Sequence, residues 1–100
     1  MSGIRIHLPH EAIAEFCRRN GVRRLSIFGS AIRDDFTPGS DVDVLVEFQP
    51  GRTPGFALVD LQDELSALLG RRVDLNTPGG LSRYFRDQVL REAEPVYVAA

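Results

Sequence analysis

The chain has 100 residues, 43% hydrophobic and 26% charged, the proportions of an ordinary globular sequence with room for one domain over residues 1–100. Its 12 basic residues are all Arg and its 14 acidic residues leave a formal charge of −2, which excludes a broad cationic field for gripping nucleic acid. The lack of Lys also excludes a Schiff-base or Walker-type lysine.

The segment Met1–His7 has no signal-peptide apolar stretch, and no apolar run approaches the roughly 18 residues of a membrane span, so a cytoplasmic chain is expected. Pro9 opens a helix in which Ala12, Ile13, Phe16 and Cys17 recur at helical spacing until Asn20-Gly21. Cys17 is the single cysteine; with no Cys or His at a zinc-ligand spacing, it is expected to be a packed thiol. Arg23 to Phe28 alternates as a strand, and Gly29-Ser30 follows as a tight turn into a short helix over about residues 31–36. After the Thr37-Pro38-Gly39-Ser40 loop, Asp41 to Phe48 reads as a second strand.

Gln49 to Gly55 is loop chemistry, and Leu58, Leu61, Leu65, Leu68 and Leu69 then mark the longest helix, stopped by Gly70. Arg71 to Asn76 is a third strand. A turn at Thr77-Pro78-Gly79-Gly80 precedes a last helix carrying Leu81, Phe85, Val89 and Leu90 and ending near Pro95. The expected fold class is α/β (α+β), a small sheet with flanking helices; this pattern leaves strand order and direction open.

Function concentrates between Phe28 and Phe48. Asp41 and Asp43 leave the same face of a strand whose other face is Val42, Val44, Val46 and Phe48. Carboxylates at that spacing, about 6.5 to 7 Å along the chain, can converge on one or two cations, and hard oxygen ligands suit Mg²⁺. Asp74, flanked by Val73 and Leu75, joins them if the third strand lies beside the second; three clustered carboxylates would then repel unless a cation were bound. Gly29-Ser30 offers free backbone N–H groups at a helix start, a cradle for phosphate, and Arg33 is placed to add a cation. The same residues are compatible with blander roles: a solvated strand face for the aspartates, and an ion pair with Asp34 or Asp35 for Arg33.

Phe28-Gly29-Ser30-Ala31-Ile32-Arg33 followed by Ser40-Asp41-Val42-Asp43-Val44-Leu45-Val46 resembles the minimal nucleotidyltransferase (MNT) family of the DNA polymerase beta-like superfamily. The likeness continues through Asp74 and Pro78-Gly79-Gly80 and departs at Asp34, where many members have Gly. It implies a polymerase beta-like core with a small mixed sheet. It also implies AMP transfer from ATP to a hydroxyl, with Asp41, Asp43 and Asp74 as catalytic ligands of two Mg²⁺ ions and Gly29, Ser30, Arg33 and Ser40 around the nucleotide. The partner it implies is a HEPN-domain toxin modified on a tyrosine, this chain being the antitoxin, with no direct nucleic-acid binding. Two other readings share the fold: an antitoxin that only binds, and a transferase for a small-molecule hydroxyl. The last helix or the loop over residues 49–55 is expected to meet the partner, because Leu81, Tyr84, Phe85 and Tyr97 carry more aromatic surface than a short helix needs.

Overall fold

Alternation in the second strand decides which way the sheet faces. Val42, Val44 and Val46 are buried at 0 to 1% exposure, so one face enters a core, while the other face carries the partly exposed Asp43 and Glu47 on either side of the buried Leu45. In the computed structural model the described residues are 7–32, 39–52 and 57–99, with the Ser30 side chain outside that description. They form α1 (His10–Arg19), β1 (Val22–Phe28), a 3-10 turn (Gly29–Ile32), β2 (Val42–Phe48), α2 (Leu58–Leu69), β3 (Val73–Asn76), a second 3-10 turn (Pro78–Gly80), α3 (Arg86–Glu92) and β4 (Glu94–Val98).

The sheet order is β3-β2-β1-β4, with β1 antiparallel to both β2 and β4, and β2 parallel to β3. The mixed sheet follows from its connections. A parallel neighbour requires a long crossover, and α2 is that crossover between β2 and β3. Ile13, Phe16 and Cys17 of α1 and Leu61 and Leu65 of α2 pack with Leu25, Ile27, Val42, Val44, Val46, Val73 and Leu75 into one core. Each fully buried Phe, Leu or Ile there stabilises by about 1.5 to 3 kcal/mol. Asn20 ends α1, its side-chain amide donating to the Phe16 carbonyl at 2.8 Å. Gly70 ends α2 in the left-handed region (φ 65°), where its N–H donates to the Ser66 carbonyl and the chain turns directly into β3.

Cys17 lies in this core at 0% exposure, and burial pushes its thiol up to about 12. A thiol held protonated and out of water is a poor nucleophile. The native protein should therefore resist a thiol-reactive dye at neutral pH and react stoichiometrically once unfolded in guanidinium; prompt labelling of the native state contradicts this packing.

Two expectations change. The last helix does not run from Leu81 to Pro95: it covers only Arg86–Glu92, and Glu94–Val98 is a fourth strand at the sheet edge. Pro95 disguised it, because proline has no N–H for a ladder and reads as a strand breaker. At an edge that defect is tolerated, and the β1–β4 register shifts beside it, between Leu25/Tyr97 and Ser26/Pro95. The aromatic surface expected to be shared also divides. Leu81 is buried and Tyr97 packs against the core, whereas Tyr84 (86% exposed) and Phe85 (47%) face solvent. Of the expected short helix, Gly29–Ile32 is a 3-10 turn; the remainder, with Arg33, lies outside the described residues, as do residues 53–56 of the loop.

Candidate active site

The parallel pairing of β2 with β3 places Asp43 directly beside Asp74, with Val42 beside Val73 and Val44 beside Leu75 on either side. Both aspartates therefore project from the face opposite the main core. Phe28 lies opposite Asp43 on the other flank, and the chain turns there at Gly29. Gly29 has φ 72°, and a Cβ built on it would overlap Asp43 Oδ2 and approach Asp43 Cγ to 3.1 Å. The turn thus comes so close to the carboxylate that only a residue without a side chain fits.

Asp43 has its carboxyl pushed above the usual carboxylate range, first by burial, then by the negative charges of Asp74 and Asp41, and last by a side-chain hydrogen bond with Asp74. Such a carboxylate pair lacks positive charge. Asp41 sits one residue before β2, where Arg72 brings a guanidinium nitrogen to 3.6 Å from Asp41 Oδ1. Ser40 precedes it at partial exposure. Among the described residues, no three His, Cys, Asp or Glu side chains gather closely enough to form a ready cation site; Asp43 and Asp74 are close together, and Asp41 stands beside Arg72. The donor chemistry still fits a divalent ion. The ligands offered are hard oxygens, and repulsion between Asp43 and its neighbours is what a cation relieves.

Sequence reasoning missed how Asp74 is held. β3 is an edge strand, and its outward N–H groups on either side of Asp74 are taken by α2: Val73 N–H donates to Ser66 Oγ at 3.1 Å, and Leu75 N–H to Gln62 Oε1 at 2.9 Å. Ser66 Oγ in turn donates to the Gln62 carbonyl at 2.8 Å. The signal was present as two polar residues four apart beside the leucine stripe of α2. Gln62→Ala should cost about 1 kcal/mol by chemical denaturation, because the Leu75 N–H loses its acceptor. No change in unfolding midpoint would mean that water replaces the amide without loss.

The sheet thus brings together one carboxylate strand-paired to a second and a glycine turn pressed on the first. The chain belongs to the nucleotidyltransferase domain family, whose model matches residues 10–96. It is 41% identical over 85 residues to protein adenylyltransferase MntA of Thermococcus cleftensis, covering 84% of this chain and 82% of that protein. It superposes with TM-score 0.71 and 43% identity on a solved structure described as a minimal nucleotidyltransferase, covering 86% of this chain and 87% of the other. A more distant fold match, at 22% identity and TM-score 0.66, covers 90% of this chain and 70% of a chain from a complex of tri-AMPylated Shewanella oneidensis HEPN toxin with MNT antitoxin. No helix among the described residues is long and apolar enough to cross a membrane.

Proposed function

We propose that residues 1–100 form a single minimal nucleotidyltransferase domain, a cytoplasmic antitoxin that moves AMP from ATP onto a tyrosine hydroxyl of a HEPN-domain toxin. The observation that carries this reading is the three-way juxtaposition of Gly29, Asp43 and Asp74: a glycine turn in contact with one member of a carboxylate pair. The named activity of the Thermococcus cleftensis relative and the AMPylated HEPN toxin in the Shewanella oneidensis complex supply the nucleotide and the acceptor.

Asp41, Asp43 and Asp74 are the residues we assign as ligands of two Mg²⁺ ions, which when bound supply positive charge to the triphosphate and to the attacking oxygen. The backbone N–H groups at Gly29 and Ser30 receive the terminal phosphates. Arg33 and Ser40 are assigned to the nucleotide with them. The acceptor oxygen bonds to the α-phosphorus as the bond to pyrophosphate breaks, and its proton passes to the Asp74 carboxylate. Holding these groups in line provides most of the rate, which is why a small scaffold suffices. The acceptor brings its own docking surface.

Incubation with labelled ATP, Mg²⁺ and the cognate HEPN-domain partner tests the reading. Label should appear on the partner and vanish with an Asp41→Ala, Asp43→Ala double variant. Neutralisation of the toxin by that variant, undiminished and without label, would establish an antitoxin that acts by binding alone.

A further inference from the structure

Arg72 reaches the carboxylates through the strand register. It lies one residue before β3 as Asp41 lies one residue before β2, and the pairing of Val42 with Val73 sets the two level. The Arg72 carbonyl accepts the Val42 N–H at 2.9 Å, so its backbone is fixed at this place whatever its side chain does. The side chain brings a guanidinium nitrogen to 3.6 Å from Asp41 Oδ1, an ion pair too long to be a hydrogen bond. The Arg72 side chain is 82% exposed, and both residues line a cleft of about 810 Å³ into which the guanidinium has room to withdraw. Exposed pairs of this kind are weak. Asp41 in turn belongs to the charge of the site, since its carboxylate and that of Asp74 both bear on Asp43.

We propose that Arg72 is a tethered counter-cation: it neutralises Asp41 while the site holds no metal, and a divalent ion that takes this carboxylate must displace it. Arg72 thereby sets the metal concentration at which the site loads. The inference rests on the assignment of Asp41 as a metal ligand above and deepens it by naming what competes for that ligand. A guanidinium and a divalent ion seek the same oxygens and, having the same sign, repel each other across a few ångströms. Metal binding therefore works against Arg72, and the weakness of an exposed pair is what lets the ion win. The side chain is not what holds β3 in place. That strand is tied by the Arg72 carbonyl to β2, and by the N–H groups of Val73 and Leu75 to Ser66 and Gln62, bonds that survive replacement of the guanidinium.

The Mg²⁺ concentration that produces half of the full rise in thermal midpoint reads metal binding without turnover. Arg72→Ala and Arg72→Gln should each reach that point at roughly threefold to tenfold less Mg²⁺ than wild type. Arg72→Lys keeps a flexible cation beside Asp41 and should stay near wild type. Arg18→Ala is the charge-matched control. Arg18 lies in the last turn of α1, close to Val22, which pairs with Phe48 at the far end of β2 from Asp41, so its loss should leave the half-point unchanged. A half-point for Arg72→Ala at or above that of wild type overturns the proposal, as does a lysine variant that behaves like alanine or an equal drop in Arg18→Ala. In each of these cases the midpoint of wild type still responds to Mg²⁺, and the assignment of the metal ligands stands; a wild-type midpoint that Mg²⁺ does not move overturns both.

Discussion

Gly29→Ala should reduce nucleotidyl transfer by about 100-fold and destabilise the fold by roughly 1 to 3 kcal/mol. Two independent costs meet at this position. The backbone sits at φ 72°, where an L side chain is strained, and the new methyl overlaps Asp43 Oδ2. The overlap can be relieved by rotating Asp43 away or by shifting the turn. Either response spoils the proposed site, because the first moves the carboxylate assigned to the metal and the second moves the turn assigned to the phosphates. Displacement by about 1 Å is enough to lose two orders of magnitude in a reaction that depends on in-line geometry. Gly79→Ala is the matched control: its Cβ meets nothing within 4 Å and its φ is not positive, so the change should stay within about 0.5 kcal/mol and leave transfer intact. Transfer rates and thermal midpoints for the two variants decide the matter. Equal, small effects would show that Gly29 is only a turn residue.

The contrast between these glycines marks how far the sequence could be read. Gly29-Ser30 was legible as a tight turn because it ends an alternating strand and precedes a helical turn. Its contact with Asp43 was not, since that depends on β1 and β2 pairing so that Phe28 falls opposite Asp43. Asp43 was legible as a polar position in a β-branched run, whereas the strand expected from Asp41 begins at Val42 and leaves Asp41 just outside it, beside Arg72. The place of Asp74 hung on strand order, which local pattern leaves open, and the parallel β2–β3 register supplies it. Arg72 beside Asp41 was invisible for a related reason: the two lie 31 residues apart and meet only because β3 starts next to β2, where Val42 N–H donates to the Arg72 carbonyl at 2.9 Å. β4 was hidden by Pro95, whose cost depends on whether a strand lies at an edge, a tertiary property.

The same crowding of charge predicts opposite effects on function and stability at Asp43. Replacement by Asn should abolish transfer, a loss of at least about 100-fold, and raise the thermal midpoint of the metal-free protein by a few degrees. Asn is nearly isosteric, so packing beside Gly29 is retained while the charge is removed. In the wild-type chain, burial and the charges of Asp74 and Asp41 push the Asp43 carboxyl above its ordinary range, so the fold disfavours its ionised form. Between the ordinary carboxylate value and the raised folded value, the native state binds more protons than the unfolded chain. Metal-free stability therefore falls as pH rises through that window and remains lowered at neutral pH. Asp43→Asn should flatten this dependence. Added Mg²⁺ should reverse the ranking, stabilising wild type by binding to the carboxylates and doing little for the variant. Melting curves across acidic to neutral pH, with and without Mg²⁺, read all three effects. A variant that melts below metal-free wild type, or one that Mg²⁺ stabilises equally, would mean that Asp43 is held by compensating contacts, with its charge available for some role other than binding a cation.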